Sequence, residues 1–176
     1  MGNKAKSAAN EWMTALIVAA SLMIVVRVFL FAPYEVHGES MYPTFKGNER
    51  LIVNKWIYDV RDPEYGDIVV FHTAEKRDYI KRVIGKPGDK ISVKNGEVYR
   101  NGEKLKESYI NQERIRKNMP ETVVPPDHLF VMGDNRNHSR DSREIGAVSI
   151  GEVVGRADVQ LMPLNQFQLL FNQQSD

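Results

Sequence analysis

The sequence predicts an N-terminal membrane-spanning helix followed by a mainly β domain. Residues 12–32, WMTALIVAASLMIVVRVFLFA, form an apolar segment of 21 residues. As a helix rising 1.5 Å per residue, this segment is roughly 31 Å long, which is enough to cross a bilayer. After Pro33 the pattern changes to apolar stretches of about four to seven residues bounded by Gly, Pro, Asn and Asp, which is typical of short strands.

The charges around the apolar segment predict its orientation. Lys4 and Lys6 precede it and Glu35 follows it, so residues 1–11 are expected in the cytoplasm and residues 33–176 outside the membrane. The single internal charge, Arg27, is near enough to the outer end to extend its side chain to the interface. A cleaved signal peptide has a shorter apolar region and a small-residue exit site, and a buried core helix is rarely so long. We therefore expect an uncleaved anchor over residues 12–32.

Composition excludes several classes of function. The chain has 24 basic and 23 acidic residues, and without the first 32 residues it has 21 and 22, so no basic surface for nucleic acid is expected. The absence of cysteine excludes thiol catalysis, cysteine-bound zinc, iron–sulfur clusters and disulfides. The mean hydropathy of −0.41 averages an apolar anchor with a polar outer domain.

The predicted strands cover most of the outer domain. A strong two-residue hairpin signal, Asn95-Gly96, joins two of them, and Asn101-Gly102 predicts a second turn. The polar, proline-containing segment 111–127 is expected to be an irregular connection, and the end of the chain predicts either a short helix or a frayed tail. The predicted strands span residues 50–56, 67–71, 79–84, 90–94, 97–100, 128–132 and 151–162.

Two separated residues are candidates for hydrolytic chemistry. Ser40 lies eight residues beyond the anchor, and on its position alone it is more often a turn serine than a nucleophile. Lys81 lies in a predicted strand, on the same face as Tyr79 and Val83. Desolvation by such neighbours lowers the pKa of a lysine and yields a neutral amine, although the commoner case is a lysine whose head group reaches water.

A polar loop over residues 131–146, VMGDNRNHSRDSREIG, follows the apolar strand 128–132, as an active-site loop mounted on a rigid scaffold would. Asp141 and Arg143 can pair there, and Ser139 can donate or accept a hydrogen bond. Ser40, His138 and Asp141 contain the residue types of a Ser-His-Asp triad. His138 and Asp141 are only three positions apart in one polar loop, however, and a triad is defined by geometry, so the sequence does not favour this arrangement. The histidines have no metal-ligand spacing, so no metal or cofactor is expected.

Taken together, these segments resemble bacterial type I signal peptidase (leader peptidase), and most closely the short, single-span Sip type of Gram-positive bacteria. The resemblance covers nearly the whole chain and includes five ordered motifs after the anchor. The motifs are SMYPT at 40–44, RLIVNK at 50–55, GDIVVF at 66–71, YIKRVIGKPGD at 79–89 and GDNRNHSRDSREIG at 133–146.

The resemblance implies a role for each site residue. Ser40 is the nucleophile and Lys81 the general base of a Ser/Lys dyad. Ser139 hydrogen-bonds the lysine amine, and Asp141 and Arg143 stabilise the site loop. The backbone N–H of Ser40 serves the oxyanion hole. Some members have a second donor, a serine hydroxyl, where this chain has Gly38, so in this chain that donor is a backbone group, a water or absent.

The resemblance also implies a substrate and a fold. The substrates are preproteins whose signal peptides end in small residues, in an Ala-X-Ala pattern, and the substrate adds a strand beside residues 79–84. The expected fold is an all-β, coiled, barrel-like domain with a small β extension over residues 86–127. The expected partners are preprotein signal peptides and the lipid bilayer, close to the secretion translocase. The expected walls of the substrate pockets are Tyr34, Val36, Met41, Phe45, Tyr79 and Ile80.

Two other functions fit parts of the pattern. One is a Ser/Lys protease of related fold that cleaves itself or a repressor, although the membrane anchor argues against it. The other is a membrane-tethered β domain that binds partners without catalysis, in which case Ser40 and Lys81 have no chemical role.

Overall fold

The N-terminal helix and two antiparallel β-sheets make up the described part of the chain, which in our computed structural model is residues 2–25, 30–111 and 113–170. Helix α1 covers Gly2–Val25. Its large apolar side chains between Trp12 and Ile24 are 61–73 % exposed. No helix within the described ranges is long and apolar enough to cross a membrane.

The predicted anchor, residues 12–32, extends beyond helix α1. Residues 26–29, including Arg27, lie outside the described residues. The predicted helix is wrong at its end, because Phe31 and Ala32 belong to a strand. Their partners there are Asn54 and Val53, so inter-strand hydrogen bonds replace helical ones.

The larger sheet has the order β1-β2-β11-β3-β4-β9-β10, with β12 beside β11, and every pairing in it is antiparallel. The predicted barrel-like closure is wrong. Among the described strands, β1 pairs only with β2 and β10 only with β9, so the sheet has two open edges. Its strands are β1 (Phe31–Glu35), β2 (Arg50–Asn54), β3 (Ile68–His72), β4 (Asp78–Gly85), β9 (His128–Met132), β10 (Val148–Ser149), β11 (Val153–Met162) and β12 (Gln168–Leu169).

The smaller sheet has the order β7-β6-β5-β8. Its strands are β5 (Lys90–Lys94), β6 (Glu97–Arg100), β7 (Glu103–Lys104) and β8 (Met119–Val123). The prediction of an irregular connection over 111–127 is wrong for β8, which pairs with β5 at the sheet edge. Most of β8 is exposed, and its sequence, MPETV, contains a proline and lacks the apolar alternation that signals a strand.

The hairpin between β5 and β6 confirms the Asn95-Gly96 prediction. Asn95 has φ of 54° and Gly96 has φ of 81°, the two positive values that a type I′ turn requires. The cross-strand pair Lys94 and Glu97 flanks this turn.

The two sheets share a hydrophobic core. Ile84 on β4 and Phe130 on β9 pack in one cluster with Ile91, Val93 and Val98 of the smaller sheet. The shared core fixes the smaller sheet against the strands that carry the candidate site. The other helices are single turns, α2 (Ile57–Val60) and α3 (Ser142–Ile145). Near the chain end, a 3-10 turn at Leu164–Gln166 precedes β12, and residues 171–176 lie outside the described part.

Candidate active site

Ser40 lies in a tight turn between β1 and β2. The turn is closed by the Tyr42 N–H, which donates to the Glu39 carbonyl at 3.0 Å. Gly38, two residues before Ser40, has φ of +82°, a conformation that L side chains rarely adopt. A serine at this position would therefore be strained, which accounts for the glycine without reference to catalysis.

Lys81 lies in β4, where the strand passes Ser40. Its Nζ is 2.8 Å from Ser40 Oγ and 2.8 Å from the Ile80 carbonyl oxygen. The residue is only 3 % exposed, and Nζ lies 5.2 Å from the centre of the Tyr79 ring. The structure therefore brings the two sequence candidates, 41 positions apart, into direct contact.

Burial changes the protonation of Lys81. It lowers the pKa of the ammonium from 10.5 to about 8, although the carboxylates of Asp141 and Asp134 act in the opposite direction. Desolvation dominates because a buried ammonium loses its hydration. A substantial neutral fraction is then available near pH 8 to accept a proton.

Asp141 organises the loop between β9 and α3. Its fully buried carboxylate accepts hydrogen bonds from the Gly133 N–H at 2.9 Å and from Ser139 Oγ at 2.8 Å. It also pairs with Arg143 through Nε at 2.8 Å and a terminal nitrogen at 2.7 Å, and it caps α3. The predicted pairing of Asp141 with Arg143 is therefore present.

Ser139 makes a different contact from the one implied by resemblance. Its hydroxyl donates to Asp141, while the two hydrogen bonds of Lys81 Nζ go to Ser40 and to the Ile80 carbonyl. A Cβ added at Gly133 would contact both the Ser139 hydroxyl and the Ser40 carbonyl, so the serine lies beside the backbone of the nucleophile. Ser139 is therefore connected to Ser40 and Lys81 only indirectly, through the loop backbone and Asp141.

Two residues next to Gly133 also contact the nucleophile segment, and the sequence reasoning did not single them out. The Asn135 N–H donates to the Ser40 carbonyl at 3.0 Å, and the Asn135 amide donates to the Glu39 carbonyl at 3.0 Å. Asp134 is fully buried and accepts from Thr44 Oγ1 at 2.5 Å. Both residues belong to the polar loop predicted from its composition, which was the available signal.

Arg82 completes this buried network. Its guanidinium binds Asp134 through two hydrogen bonds, at 2.9 and 2.7 Å, and both side chains are fully buried. Arg82 directly follows Lys81 in β4 and therefore points to the opposite face of the strand. The ion pair joins the strand of the base to the loop that contacts Ser40.

His138 does not form a triad with Ser40 and Asp141. Its Nδ1 lies 3.3 Å from the Asn135 amide oxygen, whereas Asp141 binds Ser139, Gly133 and Arg143. The geometry favours Lys81 as the partner of Ser40. Within the described ranges, no group of three or more His, Asp or Glu residues could hold a metal ion.

A groove of about 750 Å³ opens beside Ser40 and Lys81. Strand β9 pairs with β4 only from Arg82 onward. On this side of β4, the backbone of residues 78–81 therefore has no partner among the described strands and faces the groove. An extended peptide can use such an edge for hydrogen bonding. Four of the six predicted wall residues line the groove: Tyr34, Val36, Tyr79 and Ile80.

The other two predicted wall residues have a different location. Met41 and Phe45 are 1 % and 0 % exposed and pack in the core cluster that includes Leu51 and Ile68. Because they flank the Ser40 turn and are apolar, their burial fixes that turn to the sheet. They are not among the residues that line this groove, and their role as pocket walls stays a prediction.

Comparisons with known proteins give one consistent result. A profile of the family described as "Signal peptidase, peptidase S26" matches residues 9–162. A signal peptidase I of Bacillus caldolyticus is 41 % identical over 173 residues, which is 91 % of this chain and 93 % of that protein. A signal peptidase IB of Staphylococcus aureus is 37 % identical over 179 residues, which is 92 % and 94 % of the two chains. The crystal structure of a signal peptidase I from Enterococcus faecalis V583 matches with a TM-score of 0.49 and 29 % identity, over 55 % of this chain and 97 % of that one.

Proposed function

Because the chain belongs to the signal peptidase family, peptidase S26, we propose that it is a membrane-bound serine endopeptidase that removes N-terminal signal peptides from secreted preproteins. In this proposal Ser40 is the nucleophile and Lys81 the general base. The observation that carries it is the 2.8 Å contact between Ser40 Oγ and a buried lysine amine. The alternative of a non-catalytic binding domain leaves this contact and the family match without explanation.

The first half of the reaction forms an acyl-enzyme. The neutral Lys81 amine accepts the Ser40 hydroxyl proton while Oγ bonds to the scissile carbonyl carbon, and the carbonyl electron pair moves onto oxygen. When the tetrahedral intermediate collapses, the C–N bond breaks and the Lys81 ammonium donates its proton to the leaving amine. The mature protein leaves with a free N-terminus, and Ser40 remains esterified to the signal peptide.

Hydrolysis of the ester repeats the same proton transfers. Lys81 accepts a proton from a water molecule whose oxygen bonds to the acyl carbon. The C–Oγ bond then breaks, and Ser40 recovers its proton from the lysine. A neutral amine is needed twice in each cycle, and the burial that lowers the Lys81 pKa supports this role.

The developing oxyanion requires hydrogen-bond donors. The Ser40 N–H makes no hydrogen bond to another described residue, which supports its use as one donor. Gly38 has no side-chain donor, and a Cβ added there would meet no atom within 4 Å. A second donor would therefore be a backbone N–H or a water molecule.

We assign substrate selection to the groove beside β4. The unpaired edge at residues 78–81 supports binding of the signal peptide end as an added strand. Val36 and Ile80 present apolar surface beside Ser40, and Tyr34 and Tyr79 add bulk, which supports selection of small side chains in an Ala-X-Ala pattern. Large side chains would collide with these walls.

We also propose that the apolar segment that begins at residue 12 and precedes β1 anchors the enzyme, with residues 1–11 in the cytoplasm, the catalytic domain outside and the secretion translocase nearby. The support is the 21-residue apolar segment, the preceding Lys4 and Lys6, and the exposed apolar surface of α1. Such a surface needs an apolar environment. An anchor that ends a few residues before Ser40 keeps the nucleophile close to the bilayer, from which a signal peptide would emerge.

The test is cleavage of a preprotein with an Ala-X-Ala site by the purified full-length chain in lipid or detergent. We expect Ser40→Ala and Lys81→Ala each to lower kcat/KM by roughly 1,000-fold or more, because nucleophile and base act as a unit. His138→Ala is the matched control and retains activity. Cleavage by Lys81→Ala at the unmodified rate would contradict the dyad.

A further inference from the structure

We infer that Glu107 and Tyr109, which lie between β7 and β8 of the smaller sheet, are positioning residues for the catalytic turn at residues 133–136. The inference rests on the proposed function. Neither residue lines the groove or contacts Ser40 or Lys81, so both would act through other residues. They join the smaller sheet to the turn that contacts the nucleophile.

Glu107 is the ion-pair partner of Arg136. Its two carboxylate oxygens accept hydrogen bonds from the two terminal nitrogens of Arg136, at 2.8 and 2.6 Å. The side chains are 0 % exposed for Arg136 and 6 % for Glu107. Two parallel hydrogen bonds fix the plane of the guanidinium as well as its position.

The orientation of Arg136 matters because its third nitrogen binds the turn. Arg136 Nε donates to the Gly133 carbonyl at 3.0 Å. On its other side, the Gly133 N–H donates to Asp141. The peptide groups around Gly133 are therefore fixed from two directions, by Asp141 and by Arg136. Both residues belong to the loop over residues 131–146, but the guanidinium of Arg136 is fixed by Glu107, which lies outside that loop.

Tyr109 adds a second connection between the same elements. Its hydroxyl donates to Glu107 at 2.9 Å. Its ring centre is 4.0 Å from the guanidinium carbon of Arg82 and 5.9 Å from that of Arg136. The ring therefore lies against the arginine that binds Asp134 and directly follows Lys81 in β4.

These contacts lead to the nucleophile. The turn fixed by Arg136 includes Asn135, whose N–H and amide donate to the Ser40 and Glu39 carbonyls. A shift of this turn would move Ser40 relative to Lys81, with little effect on the groove walls at Tyr34 and Ile80. The predicted consequence is a change in kcat with an unchanged KM.

The test compares Glu107→Gln with Glu103→Gln, an exposed carboxylate on β7, in the preprotein cleavage assay. We expect Glu107→Gln to lower kcat about 10- to 100-fold, with KM within about twofold, because small displacements at a reacting pair are costly. Tyr109→Phe retains the ring over Arg82 and loses the hydroxyl, so a smaller decrease is expected. Glu103→Gln should match the unmodified protein.

A purely stabilising role is separated by a double variant. Glu107→Leu with Arg136→Met removes both buried charges, so its unfolding temperature should exceed that of Glu107→Gln. If the residues position the turn, kcat of the double variant stays low at a temperature where every variant is folded. If kcat recovers together with thermal stability, or Glu107→Gln keeps the unmodified kcat, the inference is overturned.

The same assay separates this inference from the proposed function. Absence of cleavage by the unmodified protein, or persistent cleavage by Ser40→Ala, contradicts the proposed function. Normal cleavage by the unmodified protein, loss in Ser40→Ala and an unchanged kcat in Glu107→Gln contradict only the positioning role.

Discussion

A single buried amine determines how Ser40 can react. Lys81 is surrounded by the Tyr79 ring, the Ile80 carbonyl and the Ser40 hydroxyl, and these groups provide no anion to balance an ammonium. Asp141 and Asp134 raise the lysine pKa from a greater distance, but desolvation is larger. The net effect is a pKa of about 8, which is low enough for catalysis and well above that of histidine.

This pKa predicts the pH dependence of the enzyme. Only neutral Lys81 accepts a proton, so kcat/KM should rise with pH and reach half of its plateau near pH 8, the pKa in the free enzyme. About one tenth of the lysine is neutral one pH unit lower. Initial rates of preprotein cleavage from pH 6 to 10 measure this limb.

His138→Ala is the control for the pH profile, and its midpoint should not change. A rising limb centred near 6.5, the ordinary pKa of histidine, would contradict the assignment of Lys81 as the base.

The turn at residues 133–136 is the element that brings the site together. It follows β9 at the point where pairing with β4 ends, which leaves residues 78–81 open to the groove. Its Asn135 contacts the Ser40 segment, and its Asp134 binds Arg82. The same turn therefore exposes the β4 edge and fixes the nucleophile beside it.

Gly133→Ala tests this element. Gly133 is buried, and a Cβ added there would collide with the Ser139 hydroxyl and the Ser40 carbonyl. We expect a loss of roughly 1–3 kcal/mol in the free energy of unfolding, which is typical of overpacking, and a decrease in kcat. Urea unfolding and preprotein cleavage measure the two effects.

Gly151→Ala is the matched control, because the nearest atom to its added Cβ is Ser149 Oγ at 3.6 Å, an ordinary van der Waals contact. It should leave stability and cleavage close to those of the unmodified protein. Equal stability and equal cleavage in the two alanine variants would contradict the collision expected at Gly133.

At the scale of the whole molecule, Lys81 lies in the larger sheet and Ser40 in a turn between two of its strands. The segment between β7 and β8 of the smaller sheet contacts the turn at residues 133–136 through Glu107. The shared core around Ile84, Ile91 and Phe130 fixes the two sheets against each other. Helix α1, which belongs to the proposed anchor, precedes β1 in the chain, and β1 precedes the Ser40 turn. Catalysis close to a membrane surface is consistent with this order of elements.

The proposed topology predicts that protease added outside intact cells degrades the catalytic domain and leaves an N-terminal tag protected. The physical reason is that Lys4 and Lys6 favour the cytoplasmic side. Immunoblotting of membrane fractions measures both ends of the chain. Glu substitutions at both lysines should reduce the protected fraction, and a domain that resists protease in intact cells but not in lysed ones would contradict the topology.

The sequence by itself determined the mainly β class, the β5–β6 hairpin and most of the strands of the larger sheet. These features depend on local periodicity and on turn residues such as Asn95 and Gly96, which act within a few positions of the chain. It also identified Ser40, Lys81 and Asp141 as candidates through their motifs. Edge strands such as β8 were missed because a mostly exposed strand needs no alternation of apolar and polar residues, and MPETV shows none.

Only the tertiary structure decided which candidates meet and what surrounds them. The Ser40–Lys81 contact joins residues 41 positions apart, and the Arg136–Glu107 ion pair joins residues 29 apart. Burial of Met41 and Phe45 in place of exposure to the groove follows from the packing of separate strands. The lowered pKa of Lys81 has the same origin, because desolvation depends on every group that folding places around the amine and not only on its neighbours in the chain.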